Sequence, residues 1–146
     1  MAKPKPQQYR AHYRVYYEDT DAGGVMYHAS YLRFAERART ELLRHLGYNQ
    51  RHLTKTDGIF FVVRAIEAEY LKPAFLDDML HVESCVGKMS RTSMVMEQDF
   101  FRGEELICKV KVVIICVSSK MKPTAIPKNL QEKLMAHPCA PARKAS

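Results

Sequence analysis

No apolar run in this chain is longer than the six residues Val112 to Val117, and a membrane-spanning helix needs about 18. The opening MAKPKPQQ is basic but has no apolar stretch behind it, which excludes the pattern of a secretory leader. A soluble, unexported protein is therefore expected. The cysteines are Cys85, Cys108, Cys116 and Cys139, and none forms a CxxC pair. Three of them sit inside apolar, strand-like runs, where cysteine behaves as a small hydrophobe. This predicts reduced thiols in a cytoplasmic compartment. Their spacing offers no cluster of zinc ligands, so no metal is expected. No internal repeat is present, and 146 residues with 47% hydrophobic content suffice for one domain with an ordinary core but not for two.

The formal net charge of +7 raises the question of a nucleic-acid partner. Lys3, Lys5 and Arg10 at one end and Arg143 and Lys144 at the other account for five of those charges, leaving +2 for the body. Basic ends rich in proline and lysine read as solvated tails. We expect tails over 1–11 and 137–146 around a domain at 12–136, and no nucleic-acid partner.

Between the tails the hydrophobic period changes twice. The stretch HYRVYYED, starting at His12, alternates as a strand does, with Tyr13, Val15 and Tyr17 on one face. From Ser30 the apolar residues Tyr31, Phe34, Ala35, Ala38, Leu42 and Leu46 recur at three- and four-residue spacing, which predicts a helix with one broad buried stripe. Ser30 is the better N-cap and Gly47 the stop. Downstream, 60–71, 79–89, 92–102 and 105–117 read as four strands separated by turn-forming residues. The link at Gly103 is too short for a crossover helix, so that pair is antiparallel. A short helix closes the chain, with Pro127 suited to its first turn. The fold class is α+β, one curved antiparallel sheet of five strands wrapped on one amphipathic helix. A single helix covers part of one sheet face, so self-association through a strand edge or the open face is expected.

The stretch EDTDAGGVMYHASY, residues 18 to 31, lies between the first strand and the long helix. Gly23 and Gly24 allow a sharp bend and a close approach of backbone to ligand. The helix directs its unpaired amides back into this loop, where with the helix dipole they stabilise negative charge on a carbonyl oxygen. Asp21 lies on the strand side of the bend and His28 at the helix mouth. A carboxylate facing an oxyanion site suits hydrolysis of an activated acyl group, because the acid can deprotonate water or attack the carbonyl. Taken singly, these residues read as turn chemistry, a polar cap and a strand tyrosine.

Taken in order they carry a resemblance. The run YYEDTDAGGVMYHASYLRFAERARTELLR closely resembles the opening of the hotdog-fold acyl-CoA thioesterases of the 4-hydroxybenzoyl-CoA thioesterase type, in the Tol-Pal-associated branch. The later strand succession agrees with the hotdog plan from about residue 12 to 136, and the tails lie outside it. The resemblance implies that Asp21 is the catalytic carboxylate, as nucleophile or as general base. It implies that Tyr17 and His28 position or polarise the substrate, and that the amide at or near His28 is the oxyanion donor. A related hotdog group uses a helix glutamate, but Asp21 already fills that role here, so Glu36 is set aside.

Family members hold the nucleotide of coenzyme A with basic and hydroxyl groups near strand ends, often across a subunit boundary. The candidates here are Arg91, Ser93, Ser119, Lys120 and Lys122, in SRTS and SSKMKP, because a phosphate-bearing ligand needs such donors. Each taken alone also reads as a solvated turn residue, and Met89, Met94 and Met96 read as core before acyl pocket. The expected function is hydrolysis of acyl-CoA to carboxylic acid and free CoA by a homodimer or homotetramer, without a cofactor. An acyl carrier protein is a second candidate partner, and a non-catalytic acyl-CoA or acyl-carrier binding module is the competing reading.

Overall fold

A computed structural model describes residues 9–140 of the chain. In order it contains β1 (Tyr9–Arg14), a 3-10 turn (Tyr17–Asp19), α1 (His28–His45) and α2 (Gln50–His52), a single turn that runs into a π turn (Leu53–Asp57). Then follow β2 (Ile59–Tyr70), β3 (Met79–Met89), β4 (Ser93–Arg102), β5 (Glu105–Ser118) and α3 (Lys128–Met135). The five strands form one antiparallel sheet in the order β1-β3-β4-β5-β2, and this is the α+β arrangement expected.

α1 buries the predicted stripe: Tyr31, Phe34, Ala35, Ala38 and Leu42 are all buried, and Leu46 packs partly buried at the end. Each large apolar side chain taken out of water in this way contributes about 1.5–3 kcal/mol. The helix begins two residues before its expected cap. Tyr27 is the N-cap and makes no side-chain cap bond, because the buried Ser30 hydroxyl donates instead to the main-chain oxygen of Asp19 at 3.1 Å. The expected stop is in place. Gly47 follows the last turn with φ at 91°, a left-handed conformation that costs little without a Cβ.

A buried polar network fixes the helix on the sheet. Gln98 of β4, with no exposed surface, donates through Nε2 to Ala35 O at 2.8 Å and Ser84 Oγ at 3.1 Å, and its Oε1 accepts from Arg39 at 2.9 Å. Burial of an amide at such a position is stable only when its groups are paired in this way.

Three features differ from the sequence reading. β1 starts at Tyr9, inside the expected tail, and Arg10 is not a free tail charge, since its Nε lies 2.9 Å from the buried Glu83 carboxylate. The strand ends at Arg14, so Tyr17 is not part of it. Next, β2 does not pair with its successor but lies at the far edge beside β5, and residues 71–78, of which 72–78 read as a simple turn, carry the chain across the sheet end to β3. Finally, residues 137–140 are not a free tail. Beyond Ser84, β3 has lost its β1 neighbour. There Val86 N–H donates to His137 O at 2.8 Å and Cys139 N–H to Val86 O at 3.1 Å.

That last contact corrects the cysteine assignment, because Cys85 and Cys139 are joined in a disulfide that closes a separation of 54 residues. Spacing gave no hint of it, since the pairing depends on the C-terminal segment taking up the vacated edge of β3. Cys108 and Cys116 are free and buried, as small hydrophobes, and burial pushes their thiols up to about 12 and about 11. Folding also brings donor atoms of Cys85, Glu97 and Cys139 within 4.8 Å of one another, but sulfurs bonded to each other are not thiolate ligands. Among the described residues no helix is long and apolar enough to cross a membrane. The remainder of the expected tails, residues 1–8 and 141–146, lies outside the described residues.

The disulfide generates a direct test. Reduction, or Cys139→Ser, is expected to lower stability by about 2–4 kcal/mol, the usual effect of opening a long loop. Urea denaturation with and without reductant measures it, and thiol counting on the unfolded, unreduced protein should find two free thiols.

Candidate active site

The loop at residues 20–27 is stitched on both sides. Thr20 bridges Met26, Asp21 N–H donates to Val25 O at 2.9 Å, and Gly24 N–H donates to Asp21 O at 3.0 Å. Gly24 turns the chain with φ at 82°. The far arm of the bend pairs with the crossing link, through a bridge from Val25 to Phe75 and a hydrogen bond from Met26 N–H to Ala74 O at 2.8 Å. Tyr27 N–H donates to Asp19 O at 2.8 Å, and this sets the angle at which the chain enters α1.

These contacts leave a cavity of about 280 Å³ between the bend, the mouth of α1 and the end of β2. Its walls include Asp21, Met26, His28, Tyr31, Tyr70 and Lys72. Asp21 and His28, seven residues apart in sequence, thus face one space. Asp21 Oδ1 accepts from Gly23 N–H at 2.8 Å, which holds the carboxylate over the bend. Among the described residues no side chain pairs with its other oxygen. At the helix end, Ser30 N–H is taken by Tyr27 O at 2.9 Å, while His28 and Ala29, in the first two helical positions, have no intrahelical acceptor. A negative charge forming in the cavity therefore meets a carboxylate on one side and a helix N-terminus on the other.

Tyr17 does not line the cavity. It opens the 3-10 turn and is 82% exposed. The wall contains instead residues that the sequence reading missed. Tyr31 is buried, lies edge-on to Tyr70 at 5.3 Å between ring centroids, and has its phenol pushed up to about 12, chiefly by burial. Tyr70 donates from its hydroxyl to His28 O at 2.9 Å. In the sequence Tyr31 is one residue of the apolar stripe. Tyr70 and Lys72 stand some forty residues downstream, at the end of β2 and just beyond it, where the sequence shows only a strand running into a turn at Pro73.

The five nucleotide-binding candidates do gather, but elsewhere. The turn at Arg91 and Ser93 is joined to the end of β5 by Cys116 N–H to Thr92 O at 2.8 Å, and to the segment between β5 and α3 by Ile126 N–H to Arg91 O at 2.9 Å. Ser119, Lys120 and Lys122 are exposed in the following turn, closed by Ser118 N–H to Lys122 O at 2.8 Å. Tyr70 pairs with Cys108 and Ile59 with Ser118, so this cluster lies ten strand residues from the cavity, about 33 Å at the usual strand rise. Met94 and Met96 are core residues.

A five-stranded sheet in this order around one long helix is the architecture of solved thioesterase structures. The chain belongs to the Thioesterase-like superfamily, whose model matches residues 15–134. It is 50% identical over 119 residues to the acyl-CoA thioester hydrolase YbgC of Escherichia coli O6:H1, covering 80% of this chain and 88% of that one. It is 32% identical over 133 residues to the acyl-CoA thioesterase YbgC of Helicobacter pylori strain J99, covering 84% and 97%. Among solved structures, a probable thioesterase from Bartonella henselae superposes with a TM-score of 0.80 at 36% identity, covering 83% of this chain and all of that one.

The double-glycine bend separates two effects that mutation can resolve. At Gly24 a Cβ meets nothing within 4 Å, but φ is positive, so Gly24→Ala is expected to destabilise by about 1–2 kcal/mol through the backbone alone. At Gly23 φ is ordinary and a Cβ meets Asp21 Oδ1 at 3.1 Å. Gly23→Ala is expected to stay within about 1 kcal/mol of the parent. Urea denaturation of both variants checks the contrast.

Proposed function

We propose that the chain hydrolyses acyl-CoA thioesters to carboxylic acid and free CoA, with Asp21 as its catalytic carboxylate. The observation that carries this reading is the shared cavity, in which Asp21 and the N-terminal end of α1 face the same volume. The acyl-CoA hydrolase names of relatives at up to 50% identity support it. In this reading the thioester carbonyl lies between the two. Asp21 activates water or attacks the carbonyl carbon, the helix amides take the charge forming on oxygen, and the thiolate of CoA leaves. His28 holds the substrate from the helix mouth, and Tyr17, outside the cavity wall, contacts the part of the substrate that extends beyond it. No cofactor is required, since a thioester is already activated.

The site is shared between two copies of the chain. A cavity of about 280 Å³ is at the small end for a ligand pocket, and coenzyme A is much larger than its acyl group. β2 is a long edge strand whose Val63, Ile66 and Tyr70 are 46%, 42% and 47% exposed, the kind of edge that pairs with another chain. Two β2 strands paired antiparallel set the Tyr70 end of one beside the Ile59 end of the other. That places the 118–122 turn of a second copy, with Ser119, Lys120 and Lys122, near the cavity of the first, and Arg91 and Ser93 lie next to that turn. A homodimer is thus the smallest complete enzyme, and a tetramer is a pair of such dimers.

An acyl-CoA substrate places the reaction in the cytoplasm, against which the Cys85–Cys139 bond stands out. The motif at residues 16–44 supports a place in the Tol-Pal-associated branch. An acyl carrier protein is the alternative donor.

Thiol release from a panel of acyl-CoA and acyl-carrier substrates tests the function. The parent should release thiol, and Asp21→Asn should lose at least about 100-fold in kcat while still binding CoA. An Asn variant as active as the parent would remove Asp21 from the mechanism, and binding without thiol release would favour the non-catalytic module. For the assembly, sedimentation should give a dimer or tetramer for the parent and a monomer for Ile66→Lys. A monomeric parent would rule out the shared site.

A further inference from the structure

Tyr70 lies where two parts of the site meet. It ends β2, 42 residues from His28, and its hydroxyl reaches the main-chain oxygen of His28 at 2.9 Å. That oxygen is the first carbonyl of α1, already placed to accept from the amide four residues on, so the phenol supplies a second donor. The Tyr70 ring is held in place by Tyr31, edge-on at 5.3 Å, and His28 is edge-on to it at 6.4 Å between centroids. Tyr31 is in turn edge-on to Phe100 at 5.4 Å, deep in the core. The hydroxyl is therefore aimed by a row of rings that runs back to the sheet.

We propose that Tyr70 is a positioning residue for thioester hydrolysis, orienting and polarising the peptide between His28 and Ala29 through its hydrogen bond to the His28 carbonyl. The inference rests on the reading above, in which the mouth of α1 holds the oxyanion. A peptide carries its carbonyl and its N–H on one rigid plane, so fixing the His28 oxygen fixes the direction of the Ala29 N–H. A donor at the carbonyl also draws charge through the amide and makes its N–H a stronger donor, since linked hydrogen bonds polarise one another. The effect is largest when the oxyanion carries most charge, which is in the transition state and not in the bound substrate. Burial raises the Tyr70 phenol above its ordinary value, with the neighbouring Cys108 adding to the effect, so it stays a donor through neutral pH.

Tyr70→Phe keeps the ring and removes the donor, at a side chain that is 47% exposed, so the variant is expected to fold as the parent does. With the full-length protein and an acyl-CoA that the parent turns over, kcat should fall about five- to tenfold, the equivalent of one such hydrogen bond, with KM within twofold. The Ala29 amide proton, followed by NMR without substrate, should move upfield as its donor strength drops. A kcat within twofold of the parent, or an Ala29 amide that does not move, would overturn the proposal, as would a loss expressed only in KM or only in melting temperature. Asp21→Asn run alongside separates the two levels. If it abolishes turnover while Tyr70→Phe changes nothing, only the role of Tyr70 fails. If Asp21→Asn is as active as the parent, the reading of the site fails first.

Discussion

The hydrogen bond from Met26 N–H to Ala74 O, at 2.8 Å, is the contact on which the rest of the site depends. It ties the bend that carries Asp21 to the link that crosses from β2 to β3. One arm of the cavity and the entry to α1 are thereby fixed to the same piece of backbone. Without it the bend, closed on itself by Asp21 N–H to Val25 O and Tyr27 N–H to Asp19 O, would lose its hydrogen bond to the link that forms the opposite wall of the cavity. Both partners are main-chain atoms, so the constraint does not depend on which side chains stand at 26 and 74. What does depend on sequence is the bend itself, where Gly24 adopts a backbone conformation that other residues reach only with strain.

The parts of the fold that were legible in the sequence are those written in local period. The stripe from Tyr31 to Leu42 predicted a buried helix face, and the strand expected over 79–89 has the same bounds as β3. The helix start was displaced because a serine near a helix entry looks like a cap, yet Ser30 is wholly buried and its hydroxyl bonds the loop. The position of β2 at the sheet edge was not legible, because strand order is set by how the chain crosses the sheet end and not by any strand's own pattern. The 72–78 stretch reads as a turn in sequence, and only in three dimensions does it become a wall of the cavity.

The site divides in the same way. Asp21, His28 and the glycines lie within eight residues of one another, so their relation shows in one line of sequence. Tyr70 and Lys72 come from another element, and nothing local ties them to residue 28. Tyr31 was visible but ambiguous, since a tyrosine on an apolar stripe serves as core and as cavity wall at once. The cysteines are the clearest case of distance defeating pattern. Cys85 sits in an apolar strand as Cys108 and Cys116 do, and it differs only because the chain's last described segment returns beside it.

The buried amide of Gln98 has a reach beyond its own neighbourhood. An apolar stripe alone leaves a helix free to roll by several degrees on a sheet, because close-packed hydrocarbon has many near-equivalent settings. Bonds from one glutamine to Ala35, Arg39 and Ser84 admit a single azimuth. Since α1 is one rigid rod, that azimuth is also the aim of its first turn, about two to three turns away at the cavity. Residues 39, 84 and 98 thus act as a sighting mechanism whose target they never touch.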